Sequence, residues 1–175
     1  MIVRMIKMGS DWQHFEIEVP KGLSEKEKLA LGEDVIEYMR KRTESGKNNS
    51  GGSFPKYSKE YMKSLDFKIA GKTSKVNLTQ TGDMLADIEV LDIKKDKIVI
   101  GFEKGSLSND KADGHITGWQ GRSDIKRPFL GFVGEGEKGK LKSIIRKHEA
   151  PIEKDSLALK ALAWLSKRDL KSGKK

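Results

Sequence analysis

One long amphipathic helix restricts this fold more than any other feature. Ser24 followed by Glu27 forms a capping box, and the helix it opens is predicted to reach about Arg42. Its apolar stripe is Leu29, Gly32, Val35, Ile36 and Met39, with basic Arg40, Lys41 and Arg42 placed at the negative helix end. The segments around it are short. Asp11 to Val19 alternates, with Phe15, Ile17 and Val19 on one face of a strand that Pro20 ends. Ile88–Leu91 and Lys97–Phe102 read as two antiparallel strands, the second centred on the β-prone Ile98-Val99-Ile100. Repeated βαβ units are absent. The expected class is α+β, a small antiparallel sheet packed against the long N-terminal helix and C-terminal helices.

Further helices are predicted at Ser58–Ile69, with Tyr61, Met62, Leu65 and Ile69 inward, and from Thr81 or Asp83 through Ala86. Ser108–Gly114, capped by Ser108 or Asn109, Glu137–Glu149 with Leu141, Ile144 and Ile145, and a last helix after Asp155 complete the set. Residues 43–53 read as a flexible insert, because Gly46-Lys47-Asn48-Asn49-Ser50-Gly51-Gly52 has almost nothing to bury. The expected organisation is one domain over 1–154, then a basic helix and frayed tail over 155–175.

Composition narrows the chemistry. The chain has 175 residues, no cysteine and a net charge of +9. Disulfides, thiolate metal sites and cysteine nucleophiles are therefore excluded. No apolar run is long enough for a membrane-spanning helix, and Met1–Met8 lacks the length and cleavage site of a signal peptide. Positive charge concentrates between Arg40 and Lys72, where nine basic residues face three acidic ones, and again between Lys160 and Lys175. Arg40, Lys41, Arg42, Lys47, Lys171, Lys174 and Lys175 are the candidate contacts to DNA or an acidic partner. Aromatic residues do not alternate with these lysines as a single-strand platform requires.

Catalytic patterns are weak. Asp110, Asp113 and His115 are the best candidates for a divalent-ion site, and a small metal nuclease would use them. They lie in one polar segment with no second acidic centre, which favours a turn whose Asp side chains serve local backbone donors. His14 and His148 are dispersed from them. No G-x-S-x-G elbow or complete phosphate loop is present, and Gly134–Gly139 has two glutamates in its glycine string. These residues predict no enzyme, no cofactor and no metal.

Two stretches depart from ordinary surface: Gly114-His115-Ile116-Thr117-Gly118-Trp119-Gln120-Gly121 and Arg127-Pro128-Phe129-Leu130-Gly131-Phe132. Together with Thr81-Gly82-Asp83-Met84-Leu85 and Ile98-Val99-Ile100-Gly101, in this order, they resemble the tailed-bacteriophage virion-morphogenesis proteins, which include tail-completion and head–tail joining factors. The resemblance spans roughly residues 76–150. It implies a structural subunit that forms a homo-oligomeric ring at the head–tail junction or head-proximal tail end. Connector, neck and tail proteins would be its partners, genomic DNA would pass nearby, and the chain would reside in the virion after assembly in the host cytoplasm. Arg127, Pro128, Phe129, Leu130, Trp119 and Met84 are then the candidate subunit interface. A free DNA-binding protein is the alternative.

Overall fold

The computed structural model describes residues 13–79, 82–118 and 124–149. Strand β1 (His14–Glu18) precedes the long helix α1 (Glu25–Glu44). Short helices α2 (Lys59–Lys63), α3 (Leu65–Ile69) and α4 (Asp83–Ala86) lead to the hairpin β2 (Glu89–Ile93) and β3 (Lys97–Gly101). Helices α5 (Leu107–Thr117) and α6 (Glu135–His148) follow. The three strands form one antiparallel sheet in the order β1-β3-β2, so the β-prone β3 takes the centre. The chain is α+β, with α1 packed on β2, β3 and α6. The helix expected after Asp155 lies outside the described residues.

The predicted capping box is present: Ser24 Oγ accepts from the Glu27 N–H, and Glu27 accepts from the Ser24 N–H at 2.8 Å. The buried stripe of α1 is Leu31, Gly32, Val35, Ile36 and Met39, continued by Arg42 and Thr43. Leu29, assigned to the core from sequence, is instead exposed, and Leu31 takes its place. Gly32 lets the helix approach the sheet. A Cβ there would stand 2.5 Å from Val90 Cγ2 on β2.

Phe15 and Ile17 of β1, Ile98 and Ile100 of β3, and Phe102, Phe129, Phe132, Leu141 and Ile145 form the fully buried centre. β1 pairs with β3 from His14↔Gly101 to Glu18↔Lys97. Gly101 is required at its end, because a Cβ would stand 2.5 Å from both the Gln13 carbonyl oxygen and His14 Cβ. A bulge between Val90 and Asp92 shifts the β2–β3 register.

Three local expectations are corrected. Residues 43–53 are not an unburied insert. Thr43 and Asn49 are buried, Asn49 N–H donates to the Pro128 carbonyl at 2.9 Å, and Asn49 Nδ2 donates to the Leu130 carbonyl at 3.0 Å. The Val133 N–H donates back to the Asn49 carbonyl at 2.9 Å. Ser58–Ile69 is two short helices divided at Ser64, which caps the second, and Leu65 and Ile69 point outward at 69 % and 75 % exposure. Helix α5 starts one residue earlier than predicted because Ser106, not Ser108 or Asn109, caps it.

Candidate interaction surface

The motif stretches interlock. Met84 and Leu85 of α4 enter the same core as Ile98, Ile100, Phe129 and Leu130. The Arg127 N–H donates to the His115 carbonyl at 2.6 Å, joining the 125–133 segment to the end of α5. Along α5, Asn109 Oδ1 accepts from the Gln13 N–H at 2.9 Å, and Asp113 Oδ1, one turn further on, accepts from Gln13 Nε2 at 2.8 Å. Residue 13 is thereby tied to α5 as β1 is tied to β3.

These positions correct the expected subunit interface. Phe129 is fully buried, with its ring edge-on to Phe102 at 6.2 Å, and Leu130 and Met84 are also buried. They serve the chain's own core, so a neighbouring subunit cannot reach them. Pro128 is half-buried and gives its carbonyl to Asn49. Trp119 lies outside the described residues. Among the described residues, the large apolar side chains that face outward are Leu29, Leu65, Ile69, Leu107 and Val133.

Arg42 also leaves the surface. Its Nη1 donates to Glu137 Oε2 at 2.9 Å and to the Gly131 carbonyl at 3.0 Å, and its Nη2 donates to the Phe129 carbonyl. The guanidinium lies 5.2 Å from the Phe132 ring centroid, and Tyr38 donates its hydroxyl to Glu137 at 3.1 Å. A buried cation so enclosed joins α1, α6 and the 129–131 segment and is closed to DNA. The sequence signal existed: Arg42 continues the 32, 35, 39 spacing, but its charge suggested the solvent side.

Arg40 is partly exposed yet engaged. Its Nε donates to the Leu85 carbonyl at 2.7 Å, and its Nη2 donates to Ala86 and Ile88 at 2.6 and 2.8 Å. It thus closes the C-terminal end of α4. Lys41 is exposed and paired with Glu37 one helical turn away. Lys47 is exposed. Lys171, Lys174 and Lys175 lie outside the described residues.

Asp110 is exposed while Asp113 is bonded to Gln13. Among the described residues no three of His, Asp and Glu are grouped to hold a metal ion. His115 instead borders a cleft of about 250 Å³ with Tyr57, Tyr61, Lys72, Leu78 and Arg127. Burial, aided by the positive charges of Arg127 and Lys72, lowers its pKa to about 4. The imidazole is therefore neutral at pH 7, where proton exchange is remote from its midpoint. Sequence reading found His115 and Arg127 but missed Tyr57, Tyr61 and Lys72, which reach the cleft from a different part of the chain.

Among the described residues no helix is long and apolar enough to cross a membrane. No family model, curated protein or solved structure matches the chain.

Proposed function

We propose that this protein is a structural subunit of a tailed-phage virion, closing into a ring at the head–tail junction or the head-proximal end of the tail. There it contacts connector, neck or tail subunits around the DNA path. The observation that carries the proposal is the ordered resemblance of residues 81–85, 98–101, 114–121 and 127–131 to the virion-morphogenesis proteins. Physical roles for several of these residues support it. Gly101 permits the close β1–β3 approach, His115 receives the Arg127 N–H, and Phe129 and Leu130 fill the core beside Met84 and Leu85. In this architecture the motifs build the subunit, and the contact surface lies elsewhere.

Exposed apolar residues supply a surface for the ring contact. Leu65 and Ile69 on α3 lie outward, as does Leu107 at the start of α5. A ring joins neighbours through two different patches. Covering these side chains would remove apolar area from water and favour association. The parent particle tests the proposal by cryo-electron microscopy. Density for this chain in a closed ring between head and tail is expected. A complete particle lacking the chain overturns it, and strong salt-dependent DNA binding by the monomer would then favour the DNA-binding alternative.

A further inference from the structure

We propose that the cleft between α2 and the 125–127 segment binds a carboxylate side chain presented by a partner protein. The cleft holds two cations, and no described residue supplies either with a countercharge. Lys72 Nζ has the neutral Asn77 Oδ1 at 3.1 Å, while Arg127 has the carbonyls of Pro55 and Lys56 at 3.4 and 3.3 Å and the Tyr57 ring at 5.5 Å. Among the described residues, none that lines the cleft is Asp or Glu. Burial lowers the pKa of both Lys72 and Arg127, which marks the cost of holding their charges in partly desolvated surroundings. An entering oxyanion would offset that cost through charge-assisted hydrogen bonds.

The shape favours a carboxylate on a short apolar stem. At about 250 Å³ the cleft suits one side chain, and Leu78 and Ile125 supply apolar wall beside the cations. Leu78 adopts φ 54°, a left-handed conformation that non-glycine residues hold only under constraint from their surroundings. The aromatic rings offer a base little room to stack. Tyr57 carries Arg127 and packs against Tyr61 and Phe67 at centroid distances of 5.2 and 5.6 Å, and Tyr61 meets Phe67 at 5.4 Å. A nucleic-acid ligand would therefore gain phosphate contact without base stacking.

The inference concerns the individual chain and does not depend on ring formation. Its test follows the His115 ring resonances of the full-length protein by NMR at neutral pH. Acetyl-leucyl-glutamate amide, its glutamine counterpart, inorganic phosphate and a short DNA duplex are added separately. The glutamate dipeptide is expected to give a saturable shift, and the glutamine dipeptide none. Lys72→Gln should weaken the glutamate response about tenfold or more, and Lys72→Arg should retain it. Lys72 lies at the cleft's half-exposed rim, so an unchanged amide spectrum separates lost binding from lost folding. Absence of a saturable response, an undiminished response in Lys72→Gln, or tighter binding of phosphate or duplex overturns the carboxylate assignment.

Discussion

Arg42 and Lys41 are adjacent in sequence and opposite in consequence. Lys41 meets Glu37 in solvent, where charge pairs are screened and contribute little. Arg42 is desolvated and its charge is compensated by Glu137, so removing only one partner leaves a buried charge. Arg42→Met is expected to lower unfolding free energy by about 3–5 kcal/mol, measured by urea denaturation. Lys41→Met should leave the denaturation midpoint nearly unchanged. Adding Glu137→Leu to Arg42→Met should recover part of the loss, because the uncompensated carboxylate is removed as well. An Arg42→Met protein as stable as wild type would refute the role assigned to this ion pair.

His115 yields a pH dependence with a definite sign. Its folded pKa of about 4 lies below the ordinary value of 6.5. Between these values the unfolded chain takes up a proton that the folded chain refuses. The stability is present above pH 6.5 and is lost as pH falls toward 4, by roughly 3 kcal/mol for this one group. Urea titrations of wild type and His115→Gln across that window should show the difference, with the NMR midpoint of His115 as an independent reading. Burial of His14 lowers its pKa too and acts in the same direction, so the comparison with His115→Gln isolates the second ring.

At the scale of elements, two glycines set how closely strands and helix approach. Gly32→Ala would drive a methyl into Val90, a side chain that has some freedom to move, whereas Gly101→Ala would meet the backbone of Gln13 and His14. Both substitutions are expected to destabilise, by roughly 1–3 kcal/mol for Gly32→Ala and at least as much for Gly101→Ala. Thermal unfolding of the two variants tests the order. A Gly101→Ala variant more stable than Gly32→Ala would contradict the close β1–β3 packing.

The helix α1 was legible because its capping box and stripe are local, repeated signals. The strand alternation at Phe15 and Ile17 was legible for the same reason, and both residues are buried. The 43–53 segment was not, since its order comes from Asn49 bonding to Pro128 and Leu130 some eighty residues away. Leu65 and Ile69 mislead in the opposite sense. Their spacing matches a buried stripe, but α2 and α3 are too short to carry one onto the core, and the aromatic cluster of Tyr57, Tyr61 and Phe67 makes the attachment instead.

For the whole molecule, the proposed ring places the contact on exposed apolar side chains and leaves the motif residues inside. Leu65→Asp combined with Ile69→Asp is therefore expected to lower the oligomeric mass measured by analytical ultracentrifugation while leaving the thermal midpoint of the subunit nearly unchanged. Phe129→Ala should do the reverse order of damage, destabilising the subunit itself by about 3–5 kcal/mol through the cavity it leaves. Intact assembly in the double aspartate variant would exclude this face from the ring contact.

The sequence by itself determined the α+β class, the long capped helix, the β-prone strand centred on Ile98-Val99-Ile100 and the exclusion of cysteine chemistry. Each follows from composition or from short-range periodicity, which the backbone expresses wherever the segment is placed. Only the tertiary structure decided that Arg42 and Phe129 are interior, that Asn49 holds a glycine-rich segment in place, and that Lys72 and Arg127 share a cleft. Those outcomes depend on which distant partners satisfy a buried charge, carbonyl or aromatic face. Such partners are selected by packing in three dimensions, and no local spacing encodes them.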